Sequence, residues 1–236
     1  MNKVILQAND LFKNAGFCYN VCGGYAFDIH AGVELRTHGD LDIAVFVEDK
    51  LKAVKFLHEL GWPIFGRFMQ EGKMATQILF YKVDNPDDKE WAACKNFWAI
   101  KPGSYLEMYE IERLPGVYSY KRNETSGETA IQRFDFIELE IDARINDEYI
   151  VRDEPKISRK MDKAVLYKDD VPYLAPEIIL FLKADKASME HPVVKIKTEK
   201  DFKAIMPLLD AEQKEWLINA IETAYPEGYA WLDGLL

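Results

Sequence analysis

Two carboxylates, Asp40 and Asp42, stand one residue apart at the head of an apolar run, Ile43-Ala44-Val45-Phe46-Val47. A bounded run of this length, rich in β-branched and aromatic residues, reads as a buried strand. Strand side chains alternate faces, so Asp40 and Asp42 project together while Leu41, Ile43 and Val45 point into the core. Two acids on one face at the mouth of a buried strand repel each other and call for a cation. Carboxylate oxygens are the usual ligands of hard divalent ions, and magnesium typically takes one or two of them together with phosphate oxygens and water. Upstream, Gly23-Gly24 opens a helix-like segment, where the backbone can approach a phosphate closely and free amides and the helix dipole favour an anion. Arg36 and His38, just ahead of the acidic pair, could meet further phosphate charge. A lone Gly-Gly is ordinarily a turn and a lone Asp-x-Asp a solvated strand end. The order of strand, glycines, short helix and acidic strand is what points to a metal and nucleotide site.

These residues need elements to hold them. Val4, Ile5, Ala8, Leu11, Phe12 and Ala15 have helical spacing and end at Gly16. Phe17 to Cys22 reads as a strand, Tyr25 to His30 as a short helix, and Glu48 to Leu60 as a second helix with Leu51, Val54, Leu57 and Leu60 inward. Strand, helix, strand, helix indicates an α/β core. Ala75 to Val83 is a further strand, ended by the turn formers Asn85-Pro86-Asp87-Asp88. From residue 84 to about 130 the chain is dense in aromatics, among them Trp91, Phe97, Trp98, Tyr105, Tyr118 and Tyr120. They are read as cross-strand packing in preference to rings stacked on a ligand. Phe134 to Asp142 alternates, with Ile137, Leu139 and Ile141 on one face and Glu138, Glu140 and Asp142 on the other. Pro176 is placed as the first residue of a helix carrying Ile178, Ile179, Phe181 and Leu182. Thr198 with Asp201, and Asp210 with Gln213, resemble capping boxes at two closing helices.

Gly23-Gly24-Tyr25-Ala26-Phe27-Asp28, followed by Arg36-Thr37-His38-Gly39-Asp40-Leu41-Asp42, resembles the signature of the antibiotic nucleotidyltransferases. These are the aminoglycoside and lincosamide enzymes of the DNA polymerase β-like superfamily; Arg36-Thr37 stands where they have Thr-Arg. Tyr173-Leu174-Ala175-Pro176-Glu177 with Lys183 is similar to a recurrent C-terminal segment of the same family. The resemblance implies an α/β (α+β) fold: a polymerase β-like core, a mixed sheet flanked by helices, over residues 1–172 with an aromatic-rich insertion around 84–130, then a helical segment over 173–236. It implies a third carboxylate directly after an apolar run on a neighbouring strand, which Asp142 supplies, with Glu140 in reserve. Asp40, Asp42 and Asp142 are then the metal-binding and catalytic set, and Gly23, Gly24, Arg36, His38 and Lys183 the nucleotide-binding set. Lys183 reads equally well as a surface lysine.

Composition bounds the partners. The chain has 236 residues, 48% of them hydrophobic, enough for a sizeable core. A net charge of -10 repels phosphate backbones, which argues against nucleic acid and suits a cationic small substrate. Cys18, Cys22 and Cys94 match no zinc or redox spacing and read as buried thiols of a reducing compartment. No apolar stretch resembles a signal peptide or approaches the roughly 18 residues of a membrane span, so a cytoplasmic protein, monomer or homodimer, is expected.

The expectation is therefore an ATP- and magnesium-dependent nucleotidyltransferase. It moves a nucleoside monophosphate, AMP by the resemblance, from a nucleoside triphosphate to a hydroxyl of a small acceptor such as an aminoglycoside or lincosamide, a resistance activity. The alternatives are a protein- or RNA-modifying relative of the toxin–antitoxin type and a non-catalytic nucleotide-binding protein.

Overall fold

A computed structural model describes residues 1–71, 76–122, 134–152, 154–185 and 192–229. In chain order these form α1 (Lys3–Phe12), β1 (Tyr19–Val21), α2 (Gly23–Ala31), β2 (Asp42–Phe46), α3 (Lys50–Glu59), β3 (Ile64–Glu71), β4 (Thr76–Lys82), β5 (Asn96–Ile100), β6 (Leu106–Glu110) and β7 (Val117–Arg122). There follow β8 (Phe136–Ile145), β9 (Glu148–Ile150), β10 (Ser158–Lys160), α4 (Met161–Ala164), β11 (Val165–Lys168), β12 (Val171–Leu174), α5 (Pro176–Lys183), α6 (Pro192–Ile205) and α7 (Ala211–Ala224). The fold is mixed α/β, as the alternation of apolar periods indicates. The chain forms two compact units, and each draws on separated stretches of sequence.

The strand-rich unit comprises Asn2–Tyr19 and Thr37–Asp142. Its sheet runs β2-β8-β5-β3-β4-β7-β6. Only the β2/β8 pair is parallel; every other neighbour in this series is antiparallel. Ile43, Ala44, Val45 and Phe46 are all buried, as a strand covered on both faces should be. Helix α1 begins where the Asn2 side chain accepts from the Val4 amide, and buries Val4, Ile5, Ala8 and Phe12. In α3 the buried side chains are Ala53, Val54 and Leu57, whereas Leu51 and Leu60 are exposed, so the inward face is narrower than the leucine spacing suggests.

The aromatics of this unit pack on one another. Trp98 meets Phe80 at 4.7 Å, Tyr120 at 5.0 Å and Phe136 at 5.4 Å between ring centroids, and Phe65 meets Tyr118 at 5.1 Å. Phe65, Phe80, Trp98 and Phe136 form one apolar cluster with Ile100, Tyr105 and Leu106, and Tyr118 packs against it. The aromatic-rich stretch expected over 84–130 lies partly outside the described residues.

The helix-rich unit comprises Met1, Asn20–Arg36 and Ala143–Leu236. Strand β12 pairs antiparallel with β11 and parallel with β1, Val21 standing opposite Tyr173. The hairpin of Ala143–Ile145 with β9 continues into β10. Helix α5 starts at Pro176, where a missing N–H costs nothing, and α2, α6 and α7 pack against it. The helices expected after residue 172 are thus α5, α6 and α7, and they share this unit with α2 and β12. Asp210 and Gln213 make a full capping box at the start of α7. Thr198 and Asp201 do not cap anything: α6 already begins at Pro192, and both lie buried inside it. All three cysteines are free; Cys22 and Cys94 are buried, but Cys18 is exposed. Among the described residues no helix is long and apolar enough to cross a membrane.

Candidate metal and nucleotide site

Strand β2 carries Asp42 at its first residue, and Asp40 precedes it by two, so the pair shares one face as the alternation requires. The neighbouring strand β8 lies parallel, with Asp42 opposite Glu138, Ala44 opposite Glu140 and Phe46 opposite Asp142. The Glu138 amide donates to the Leu41 carbonyl at 2.9 Å, which pins that register at the strand entrance. One carboxylate oxygen each from Asp40, Asp42 and Glu138 lies within 4.8 Å of the other two, a donor set of three hard oxygens that fits a divalent cation.

Asp142 is therefore not the third member. It sits four residues further along β8, and at ~3.3 Å per residue that is ~13 Å from the level of Asp42. Its carbonyl accepts from the Val47 amide at 2.8 Å, and its side chain is buried at the far end of β2. Glu140, the reserve, stands between. Its contact with the site is indirect: the Asn96 amide donates to Glu140 at 2.6 Å and to Glu138 at 2.8 Å. The apolar run leading to Asp142 predicted the strand correctly, and the choice among its three acids depended on register.

Glu138 is held from two sides. Arg67 on β3 reaches it at 2.7 Å, and Asn96 on β5 supplies the second bond. Burial raises its pKa above the ordinary glutamate value; the Glu140 charge adds to this, and Arg67 and Asn96 oppose it. A bound cation would favour the charged form of a carboxylate so placed. Neither Arg67 nor Asn96 was signalled by the sequence, because each meets Glu138 only across strand pairings more than forty residues apart.

The helix-rich unit holds the glycines and two of the proposed cations. Gly23 has φ +61, a conformation L side chains rarely adopt, and it is the first residue of α2. Gly24 lies within the helix with ordinary backbone angles, so the positive φ belongs to Gly23 alone of the two. Cys22 caps α2 with no side-chain hydrogen bond, leaving the first-turn amides without that partner. Arg36 and Lys183 both converge on Asp201 of α6. Arg36 bonds its two carboxylate oxygens at 2.9 and 3.3 Å, and Lys183 approaches at 3.2 Å with its ammonium 5.9 Å from the Phe27 ring centre. Burial pushes the Asp201 carboxyl up, but the Arg36 and Lys183 charges and hydrogen bonds outweigh it, and the net shift is downward. Lys183 is thus neither a free surface lysine nor an open phosphate ligand in this state. His38, in the strand-rich unit, is buried at 4% exposure.

Residues 4–77 match the family model described as aminoglycoside-2″-adenylyltransferase. No curated protein matches the chain by sequence. Solved structures to which it is similar include ANT(2″)-Ia in complex with adenylyl-2″-tobramycin, at 12% identity and a TM-score of 0.49 over 94% of this chain and 98% of that one. The lincosamide antibiotic adenylyltransferase LnuA, lincomycin-bound, follows at 12% identity and 0.45 over 85% and 96%. An antigenic nucleotidyltransferase-like protein from Paracoccidioides brasiliensis gives 15% identity and 0.37 over 98% and 89%. Residues 4–77, the stretch that carries the Gly23-Gly24 helix start and the Asp40 and Asp42 carboxylates, are where this chain is similar to the aminoglycoside-2″-adenylyltransferase family.

Proposed function

We propose that this protein transfers a nucleoside monophosphate, AMP by the family it matches, from a nucleoside triphosphate to a hydroxyl of a small, amine-bearing antibiotic. The observation that carries the reading is the meeting of Asp40, Asp42 and Glu138 within 4.8 Å, in a chain whose residues 4–77 match an adenylyltransferase family. Asp40, Asp42 and Glu138 would hold divalent magnesium, which when bound supplies charge neutralisation and alignment for in-line displacement at phosphorus. Arg67 and Asn96 fix the Glu138 carboxylate, as hydrogen-bonded partners commonly orient metal ligands. The Gly23 turn presents the amides of α2 to an anion, a feature that suits a triphosphate. Arg36 and Lys183 are held by Asp201 in this state, and either would reach the anion only by leaving that carboxylate. The acceptor's hydroxyl proton needs a base, and the acidic face of β8 offers Glu140 within that face.

The net charge of -10 favours a cationic acceptor over a nucleic-acid partner. The test is incubation with magnesium, each nucleoside triphosphate and a panel of aminoglycosides and lincosamides, read by mass spectrometry. An acceptor heavier by one nucleoside monophosphate, with pyrophosphate released, is the expected result. No adduct with any acceptor, from protein that binds magnesium nucleotide, would leave a binding protein instead.

A further inference from the structure

The strand-rich unit carries a cation beside the carboxylates that the spacing of the sequence did not single out. Arg122 ends β7, opposite Leu106 on β6, and is exposed. Its guanidinium reaches the backbone just ahead of Asp40, Nη1 lying 3.9 Å from where a Cβ on Gly39 would stand. Tyr105 anchors the same backbone, its hydroxyl donating to the Gly39 carbonyl at 2.9 Å. Burial raises the Tyr105 pKa, Arg122 opposes that shift and Asp40 adds to it, so both charges are felt at one phenol. Arg67 is engaged by Glu138 at 2.7 Å, whereas the Arg122 guanidinium makes no hydrogen bond or ion pair with another described residue.

A guanidinium that pairs with no described side chain, close to the backbone that carries Asp40, is poised for a different anion. In nucleotidyl transfer the acceptor oxygen forms a bond to the α-phosphorus. The bond from that phosphorus to the bridging oxygen breaks, its electron pair leaves with pyrophosphate, and the hydroxyl proton passes to the base named above, Glu140. Negative charge therefore collects on the pyrophosphate end, where a planar fork of N–H donors matches phosphate oxygens. We propose that Arg122 binds the pyrophosphate portion of the nucleoside triphosphate, and free pyrophosphate, beside the metal held by Asp40, Asp42 and Glu138. This rests on the transfer reading above. The competing role is an electrostatic one, in which Arg122 only offsets the charge of Asp40.

The experiment is calorimetric titration of the full chain with Mn2+ alone, and then with pyrophosphate in saturating Mg2+. It compares the wild type with Arg122→Gln, Arg122→Lys and Asp42→Asn. Arg122→Gln should bind Mn2+ as well as the wild type or better, and pyrophosphate about tenfold or more weakly. Arg122→Lys should fall between, keeping the charge and losing the fork. Asp42→Asn should lose both ligands. Equal pyrophosphate affinity in the wild type and Arg122→Gln overturns the assignment of Arg122 and leaves the metal site standing. A wild type that binds no Mn2+ overturns the metal reading itself, and Arg122 with it.

Discussion

Asp42 at the start of β2 stands directly opposite Glu138 on the parallel strand β8, and their carboxylate oxygens share a 4.8 Å space with one from Asp40. Parallel pairing sets both acids at the same level of the sheet, whereas Asp142 is level with Phe46. Glu138→Gln should therefore lower magnesium-dependent transfer more than about 100-fold, beyond the 10–100-fold typical of losing a partner outside the metal's own ligands. Asp142→Asn should leave metal affinity within a factor of about two. Mn2+ titration of both variants beside the transfer rate checks this, and a larger loss of Mn2+ affinity in Asp142→Asn would restore the original assignment.

Asp40→Asn separates a metal ligand from a solvated strand end. Removing one like charge from the group should leave the melting temperature without metal unchanged or raised, by an amount equivalent to ~0–1 kcal/mol. Transfer should collapse in the same variant. Full transfer with unchanged metal affinity would place Asp40 outside the site.

Backbone geometry distinguishes the two glycines. Gly23 has φ +61, so Gly23→Ala should cost about 1–2 kcal/mol of stability through strain alone. Gly24→Ala, inside α2, should be tolerated by the backbone there. Chemical denaturation of the two variants gives the comparison, and equal stabilities would contradict it.

The Asp201 centre sets a pH dependence. Its folded pKa lies below the ordinary 3.8, so the stabilisation it provides is complete above that value and is lost as pH falls through the depressed folded pKa. Asp201→Asn should cost about 1–3 kcal/mol at neutral pH. That is less than the ~3–5 kcal/mol of a fully buried pair, because about a fifth of the Arg36 and Lys183 side chains remains in water. The variant should also show a shallower loss of stability as pH falls below the ordinary 3.8, in an acid titration followed by circular dichroism. An unchanged acid profile would show that another carboxylate controls it.

What the sequence determined by itself was local. A bounded apolar run marked β2 and alternation marked β8 as strands, and the period of two put Glu138, Glu140 and Asp142 on one face, because side-chain direction along a strand depends only on that period. The capping box of Asp210 and Gln213 was equally legible, since its two hydrogen bonds close within four residues. The Thr198 and Asp201 pattern misled because α6 starts six residues before Thr198, at Pro192, and the same side chains then serve its buried face. Tertiary structure alone decided which acid joins Asp40 and Asp42, because parallel register is set by the pairing of strands about a hundred residues apart and no local period encodes it. It also decided that Arg36 and Lys183 meet on Asp201, 165 positions from Arg36, and that Arg122 comes to rest beside Gly39. Ion pairs and hydrogen bonds act over a few ångströms in space, and only the folded chain brings such distant residues that close.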